Sequence, residues 1–401
     1  MEYKYLVMVT TNNNNKYYEM IPNGDSFTVK YGRIGASAQV ASYSASQFDK
    51  KYNEKIKKGY VDQTELRKDL IKIEKKEKKD KYLPIAEETT KRLIDFLQEV
   101  ARQKIAENYT VSSESVTQAM INEAQTVLNK IANEKDKEEF NKKLLTLFNI
   151  LPSKMYDVNA FLAKSGDKEE FSKIYIREQE LLNVMRGQVV QHTIDEQINE
   201  DVEEPQQTIL EALGLEIEPI NEIDERIILK ELGEIKDKFY MGWKVKNIKT
   251  SNKFEEHLKT SIHKNKKLLW HGSRNENWMS IISNGLILNP NAVITGKMFG
   301  QGIYFATKSR KSFGYTSYDG SYWARGNSKR AFMGLYEVHY GNPYIVSDFS
   351  SRFYDYNFDK LRQNGNYDCL HADSTKGMLR NDEIVVYRED QVNIKYLVEL
   401  R

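Results

Sequence analysis

The spacing of hydrophobic and polar residues changes along the chain, and the first region has the pattern of strands. Residues 1 to about 60 contain the segments YKYLVMVT, KYYEMI and FTVKYGRIG, which are rich in Tyr, Val and Phe. An asparagine run and the segment PNGD separate them, and the Asn-Gly pair is a strong hairpin signal. The pattern predicts a small antiparallel sheet. After it, Phe48, Tyr52 and Ile56 recur at every fourth position and predict a helix.

Helical periodicity dominates from about residue 84 to residue 200. In SVTQAMINEAQTVLNKI, Ser115 followed three residues later by Gln118 predicts a capping box, and an apolar face runs from Met120 to Ile131. The segments TTKRLIDFLQEVARQ, EEFNKKLLTLFNIL and IREQELLNVMRGQVV have the same spacing. They predict a helical bundle whose apolar stripes form its core.

Two charged segments flank this bundle. The first, from Arg67 to Lys81, contains eight basic and four acidic residues and predicts a solvated helix or linker. A nucleic-acid contact or a localisation signal is the weaker alternative for this segment. The second, DEQINEDVEEPQQ, precedes a region of short strands such as GIYFA, FMGLYEVHYG and EIVVY among glycine-rich turns.

The strand pattern, the helical pattern and the mixed pattern of the three regions together predict a multidomain α+β protein. We expect a small antiparallel β-sheet domain with its charged linker at residues 1–83, an all-α bundle at 84–203 and a mixed α/β domain at 204–401. A chain of 401 residues exceeds one ordinary core, and its 40% of hydrophobic residues suffices for packed domains.

Composition excludes several classes of function. Sixty Lys and Arg balance 58 Asp and Glu, so any attraction to nucleic acid or to a membrane must come from a local patch. One cysteine and six histidines without metal-ligand spacing predict that no metal is bound. No P-loop and no Gly-x-Ser-x-Gly elbow is present, and GQGIYF lacks the third glycine of a dinucleotide fingerprint. The apolar run in MEYKYLVMVTTNNNN is too short for a signal peptide and no apolar run reaches about 18 residues, so we expect an intracellular soluble protein without membrane contact.

Several residues of the third region have chemistry that packing does not require. They are small residues, aromatic residues or ionisable residues: His271, Gly272, Ser273, Tyr304, Ser312, Tyr315 and Glu383. The two small residues after the histidine let a ligand approach the backbone. A glutamate at the start of an apolar strand is costly unless the site is open. Each residue alone has an ordinary structural explanation, so the functional hypothesis depends on their occurrence together.

The segments that carry these residues resemble the catalytic domain of the poly(ADP-ribose) polymerase family. LLWHGSR is similar to its histidine motif, TGKMFGQGIYFATKSRKSFGY to its tyrosine and nicotinamide-pocket motif, and NDEIVVYREDQVNIKYLVEL to its terminal glutamate strand. The resemblance implies an ADP-ribosyltransferase that uses NAD+ as co-substrate, with a catalytic triad of His271, Tyr304 and Glu383.

The resemblance also implies a role for each residue toward NAD+. His271 would form a hydrogen bond with a ribose hydroxyl on the adenosine side of NAD+, with Ser273 beside it. Glu383 would contact the nicotinamide ribose and help to activate the acceptor. The remaining roles concern the nicotinamide: the Gly272 backbone and the Ser312 hydroxyl would hold its carboxamide, Tyr315 would stack on its ring, and Tyr304 would close the other side. A carboxylate suits this chemistry because cleavage of the glycosidic bond builds positive charge on the ribose.

The expected product follows from the same resemblance. In this family a glutamate at this position accompanies chain elongation, so Glu383 favours a polymer-forming enzyme. Mono-ADP-ribosylation, and a DNA- or NAD-binding protein without catalysis, stay open as alternatives. The segment Gly285 to Gly296 is slightly shorter than in familiar members and has Ile287 where some have arginine, which affects the expected affinity for the adenosine half.

The first region resembles the WGR domain that accompanies many of these polymerases. NKYYEM, YGRIG and FDKKYNEKIKKGY follow its order, with Tyr31 at the position of the tryptophan and with Gly32 and Arg33 in place. The aromatic ring would stack on a base or sugar and the arginine beside it would pair with phosphate, so that together they would recognise a DNA end. The alternative is that these residues only complete a strand.

The bundle resembles, more loosely, the regulatory helical domain of the same family. The resemblance therefore implies activation by strand breaks, at 5′-phosphorylated ends or nicks. It also implies that acceptor proteins include the enzyme itself. We expect a monomer, in the nucleus of a eukaryote or in the cytoplasm and nucleoid of a bacterium.

Overall fold

The computed structural model describes residues 1–67, 82–109, 116–197, 206–288, 298–375, 377 and 379–401, with side chains left out at 190–197. The predicted linker at 68–81, the capping residue Ser115, the boundary near 204 and the segment from 289 to 296 lie outside the described residues. Contacts divide the chain into two compact units. The first combines Met1–Lys79 with Arg102–Val189, and the second combines Asp80–Ala101 with Val190–Arg401. The domain boundaries at 83 and 203 stay a prediction.

The first unit contains the predicted antiparallel sheet. Its strands are β1 (Lys4–Thr10), β2 (Asn14–Asn23), β3 (Ser26–Arg33), β4 (Gln39–Ser44) and β5 (Val61–Asp62), in the order β4-β3-β2-β1-β5. The hairpin prediction is confirmed, because Asn23 pairs with Ser26 and Gly24 between them has a φ of 64°. Helix α1 (Phe48–Lys57) packs Phe48 edge-on against Phe27 of β3, 5.0 Å between ring centroids.

Four longer helices follow in the chain. They are α2 (Glu88–Asn108), α3 (Gln118–Ile131), α4 (Lys137–Ile150) and α5 (Lys168–Gln197). The apolar face of α3 is buried as its spacing predicts. The capping box with Gln118 as its third helical residue is wrong, because α3 begins at Gln118 and the Thr117 hydroxyl accepts the N–H of Met120 at 3.1 Å.

The second unit is built on a nine-stranded sheet. Its strands are β6 (Leu215–Pro219), β7 (Phe239–Asn247), β8 (Lys266–Gly272), β9 (Ile303–Ala306), β10 (Ala331–His339), β11 (Pro343–Val346), β12 (Cys369–Ala372), β13 (Glu383–Val386) and β14 (Val392–Leu400). The order is β11-β12-β13-β9-β8-β10-β14-β7-β6, with β11 and β12 parallel and the other neighbours antiparallel. This mixed sheet after a small antiparallel sheet and a helical region confirms the predicted fold class.

Short helices connect these strands. The α-helices are α6 (Ile209–Ala212), α7 (Glu222–Leu232), α8 (Ile248–Thr260), α9 (Trp278–Asn284), α10 (Ser309–Phe313) and α11 (Phe358–Gln363). Across both units the 3-10 turns are Ala45–Gln47, Glu65–Arg67, Val158–Phe161, Gly233–Lys238, Asn275–Asn277, Ser351–Phe353 and Glu389–Gln391. Among the helices described, none is both long and apolar enough to cross a bilayer.

The large sheet has a narrow joint between β8 and β9. These two strands pair at a single position in the described residues, Trp270 opposite Ala306. Five strands from β8 to β6 lie on one side of the joint, and four strands from β9 to β11 lie on the other. One apolar cluster, with Leu269, Phe305 and Ile384 among its members, spans both parts, and two further clusters, around Trp270 and Tyr396 and around Phe299 and Tyr356, back one part each. We call the joint between β8 and β9 the seam.

Candidate functional site at the seam

The three residues predicted as a triad lie on three neighbouring strands at the seam. His271 is on β8, Tyr304 is on β9 and Glu383 begins β13. In register, Glu383 is opposite Ala306, the residue that also pairs with Trp270. Sheet order therefore places His271 and Glu383, more than 100 positions apart in the sequence, within two strands of each other.

The His271 ring is held in one orientation. Its Nδ1 lies 3.1 Å from the carbonyl oxygen of Tyr304, which only accepts, so Nδ1 carries the proton and donates. The ring packs edge-on against Phe305 at 5.8 Å and against Tyr336 at 6.1 Å. This tautomer makes Nε2 the ring nitrogen that can accept a hydrogen bond from a hydroxyl group.

The backbones of Gly272, at the end of β8, and Ser312, on α10, approach each other closely. A Cβ on Gly272 would lie 1.8 Å from the carbonyl oxygen of Ser312, so the two backbones can meet only at a glycine. Ser312 is buried on α10 and donates its hydroxyl to the carbonyl oxygen of Trp270 at 2.9 Å. Since its proton is used there, its oxygen can still accept an N–H, as an amide group would offer. Ser273 accepts a hydrogen bond from Asn277 at 3.0 Å.

The two tyrosines have different environments. Tyr304 donates its hydroxyl to the carbonyl of Gly300 at 2.9 Å and accepts the N–H of Phe299 at 3.0 Å, and burial raises its pKa. Tyr315 is 42% exposed, and its ring stacks on Trp323 with 4.6 Å between centroids and 14° between planes. Trp323 was not among the predicted site residues, although an aromatic pair, Tyr-Trp, follows the tyrosine motif closely.

Glu383 forms a nearly buried ion pair with Lys311 of α10. The lysine amine donates to Oε1 of the glutamate, and the two side chains are 10% and 17% exposed. Burial lowers the pKa of the Lys311 amine to about 8, and the neighbouring carboxylate of Asp382 opposes that decrease. Lys311 does not stand out in the sequence, because its partner Glu383 lies 72 positions further along the chain.

The predicted DNA-binding residues of the first unit contact other parts of that unit. Tyr31 is half-buried and its ring lies 5.8 Å from that of Tyr18. The Arg33 guanidinium donates to the carbonyl oxygens of Met155 at 2.9 Å and Tyr156 at 2.5 Å, as well as to Asn13. Gly32 lies between them on β3. A role in DNA binding stays a prediction for all three predicted residues.

Within the described residues, no group of three His, Cys, Asp or Glu side chains is arranged to bind a metal ion. What the seam offers is a different chemistry. It combines an oriented imidazole, a glycine backbone beside a buried hydroxyl, two tyrosine rings and a carboxylate paired with an amine. Such a set suits a ligand with a carboxamide, a flat ring and a sugar.

Comparison with known proteins agrees with this chemistry. Residues 230–401 match the family model of the poly(ADP-ribose) polymerase catalytic domain, and residues 3–67 match that of the WGR domain. The putative poly [ADP-ribose] polymerase-like protein 100L of Invertebrate iridescent virus 6 is 32% identical over 191 residues, 47% of this chain and 98% of the viral protein. Protein 101L of the same virus, named only as uncharacterized, is 34% identical over 191 residues, 47% of this chain and 77% of that protein. Human poly [ADP-ribose] polymerase 2 is 33% identical over 171 residues, 37% of this chain and 28% of the human protein.

The site and the comparisons therefore define an NAD+-dependent ADP-ribosyltransferase. The chain belongs to the poly(ADP-ribose) polymerase family, with a WGR domain at its N-terminal end and the catalytic domain in its second unit. The resemblance that the motifs predicted is confirmed.

Proposed function

We propose that this protein cleaves the nicotinamide glycosidic bond of NAD+ and transfers ADP-ribose to proteins and to growing ADP-ribose chains. The observation that carries the proposal is the placement of His271, Tyr304 and Glu383 on three neighbouring strands at the seam. The close approach of Gly272 to Ser312 supports it, because the pair offers the donor and acceptor that a carboxamide needs.

The proposed reaction assigns a task to each residue. As the bond between the ribose carbon and the nicotinamide nitrogen breaks, its electron pair leaves with nicotinamide and positive charge develops on the ribose. The Glu383 carboxylate stabilises that charge, and it takes the proton from the acceptor oxygen that forms the new bond. Lys311 holds the carboxylate in place through their ion pair. His271, which donates from Nδ1, accepts a hydrogen bond at Nε2 from a ribose hydroxyl.

Tyrosine rings complete the proposed nicotinamide site. Tyr315 is stacked on Trp323 on one face, so nicotinamide would use the other face of its ring. Tyr304 closes the site from β9, where hydrogen bonds to Phe299 and Gly300 fix its hydroxyl. A flat, electron-rich surface binds the cationic nicotinamide of NAD+ better than the neutral product, which helps the product to leave.

We also propose that DNA strand breaks activate the enzyme and that it modifies itself. The WGR match, and the match to a human enzyme named poly [ADP-ribose] polymerase 2, support this part. Tyr31, Gly32 and Arg33 are the proposed contacts with a 5′-phosphorylated end or nick. DNA that competes with Met155 and Tyr156 for the Arg33 guanidinium would weaken those bonds, which is a route for a population shift. Such an enzyme would work where DNA is, in a nucleus or a nucleoid.

One assay tests the enzyme class, the product and the activation. The full chain is incubated with labelled NAD+, with and without 5′-phosphorylated nicked DNA, beside the variant Glu383→Gln. We expect polymer on the protein itself that increases with nicked DNA, and a loss of about 100-fold or more in the variant. A single ADP-ribose per site would favour mono-ADP-ribosylation instead. Unchanged NAD+ consumption in the variant would refute the site assignment.

A further inference from the structure

Three aromatic side chains beside the seam form an exposed row. Tyr315 stacks on Trp323, and Tyr322 packs edge-on against Trp323 at 5.3 Å with 89° between planes. Their exposed fractions are 42%, 45% and 79% in the order Tyr315, Trp323, Tyr322. We call these three residues the aromatic row. Exposed aromatic rings of this size that touch one another are unusual on a protein surface without a binding role.

The segment that carries the row is rigidly built. The Ser321 hydroxyl donates to the carbonyl of Thr316 and accepts the N–H of Gly326, both at 2.8 Å. Arg274 donates to the carbonyl of Ala324 at 3.0 Å. A Cβ on residue 314, which is glycine, would lie 2.4 Å from the Trp323 ring. The fold therefore presents the rings in fixed positions, which lowers the entropic cost of stacking a ligand on them.

Cationic side chains accompany the row. Arg325 and Lys329 are both exposed, and Asp319 is the single acidic residue between positions 315 and 330. Arg325 has a φ of 49°, a conformation that L residues other than asparagine, aspartate and histidine rarely adopt.

The row begins next to the proposed reaction centre. Lys311, which holds Glu383, precedes Tyr315 by four residues at the end of α10. Tyr315 follows the end of α10 and donates its N–H to the carbonyl oxygen of Ser312 at 3.1 Å, and Trp323 donates its N–H to that of Gly314 at 2.9 Å. A group that stacks on the row would therefore lie close to the carboxylate that is proposed to activate the acceptor.

We propose that the aromatic row binds the adenine of an acceptor ADP-ribose, so that Tyr322 and Trp323 stack on the base while Arg325 and Lys329 bind the pyrophosphate. This inference rests on the proposed function, because it names the acceptor of the same site. In the elongation step, an acceptor ribose hydroxyl forms the bond to the donor ribose carbon, nicotinamide leaves with its electron pair, and the proton passes to Glu383. Flat rings beside two cations fit a base with phosphates better than an apolar peptide.

A binding experiment tests the site without requiring catalysis. The full chain is titrated with ADP-ribose, AMP and ribose 5-phosphate, and tryptophan fluorescence is followed, because Trp323 is exposed while the other three tryptophans are buried. We expect quenching by the two adenine compounds and little by ribose 5-phosphate. Tyr322→Ala should weaken ADP-ribose binding about tenfold, whereas the matched variant Tyr322→Phe keeps the ring and should bind as the parent does. Equal binding of ADP-ribose by the parent, Tyr322→Ala and Tyr322→Phe would overturn the proposal.

The activity assay separates acceptor binding from donor binding. Tyr322→Ala should shorten the chains on a carrier that already bears one ADP-ribose, while KM for NAD+ and transfer of the first ADP-ribose stay unchanged. An increase in KM for NAD+ with unchanged chain length would place the row on the donor and refute the proposal. A single-stranded oligonucleotide that binds in a Tyr322-dependent way, without an effect on elongation, would refute it as well. If the parent protein transfers no ADP-ribose at all, the proposed function fails, and the titration still decides whether the row binds the base.

Discussion

The ion pair between Lys311 and Glu383 gives the most quantitative prediction. We consider Lys311→Met, which keeps most of the side-chain volume and removes the positive charge. The variant leaves the carboxylate with 17% of its side chain exposed and without the amine that contacts it. Removal of one partner from a buried pair costs about 3–5 kcal/mol of unfolding free energy. Since both side chains keep some contact with solvent, we expect about 3 kcal/mol, the lower end of that range.

The tryptophans make this change measurable in the intact chain. All four, at positions 243, 270, 278 and 323, lie in the second unit, so their fluorescence reports the unfolding of that unit. A urea slope of about 2–3 kcal/mol per M converts the expected loss into a midpoint lower by about 1 M. The control is the double variant Lys311→Met/Glu383→Gln, which removes both charges and should recover all but about 1 kcal/mol.

Two outcomes would refute the reasoning. If Lys311→Met leaves the urea midpoint unchanged, the pair does not stabilise the fold and solvent replaces the amine without cost. If the double variant is as unstable as the single variant, the loss comes from packing around the lysine stem and not from the uncompensated carboxylate.

Three further predictions concern other parts of the molecule. Gly272→Ala should lower the tryptophan-detected midpoint and abolish NAD+ consumption, because the new methyl group would lie 1.8 Å from the Ser312 carbonyl; normal activity would contradict the close approach. Burial lowers the pKa of His257. Its contribution to the free energy of unfolding is therefore complete above the ordinary pKa of about 6.5 and is lost as the pH falls through the lowered value. The urea midpoint should decrease from pH 7.5 to pH 5.5, and it should decrease less steeply in His257→Gln. Phe140→Ala removes a ring stacked on Phe171 at 4.0 Å and should lower the free energy of unfolding of the first unit by about 3–5 kcal/mol. Circular dichroism should show this loss, while the unfolding transition detected by tryptophan fluorescence should not shift. A shift in both transitions would show that the units unfold together.

Local signals in the sequence predicted local structure well. The Asn-Gly hairpin of the first sheet and the buried face of α3 follow from interactions within a few residues, so a single sequence contains them. The predicted capping box at the start of α3 was wrong. Ser115 and Thr117 are both residue types that cap helices well, so the sequence alone did not decide between them, and the Thr117 hydroxyl caps α3 in the structure.

The site was predictable to the extent that its motifs are. His271, Tyr304 and Glu383 were found by their resemblance to a family, while Lys311 and Trp323 were not, because their roles depend on partners far away or across a turn. The Arg33 contacts were also out of reach, since they join residues more than 120 positions apart. Hydrophobic pattern and residue spacing identify helices and strands, whereas the contacts between these elements are known only from the three-dimensional structure.

The seam also has a mechanical consequence. A sheet whose two parts share a single residue pair has fewer backbone hydrogen bonds there than a ladder of five or six pairs would have, and an apolar cluster that includes Leu269, Phe305 and Ile384 packs across the joint. A ligand that touches His271 on one side and Glu383 on the other would act as a cross-link between the two parts. Substrate would then stiffen the enzyme at the moment of reaction, and amide hydrogen exchange across β8 and β9 would slow when NAD+ or a carboxamide compound is bound.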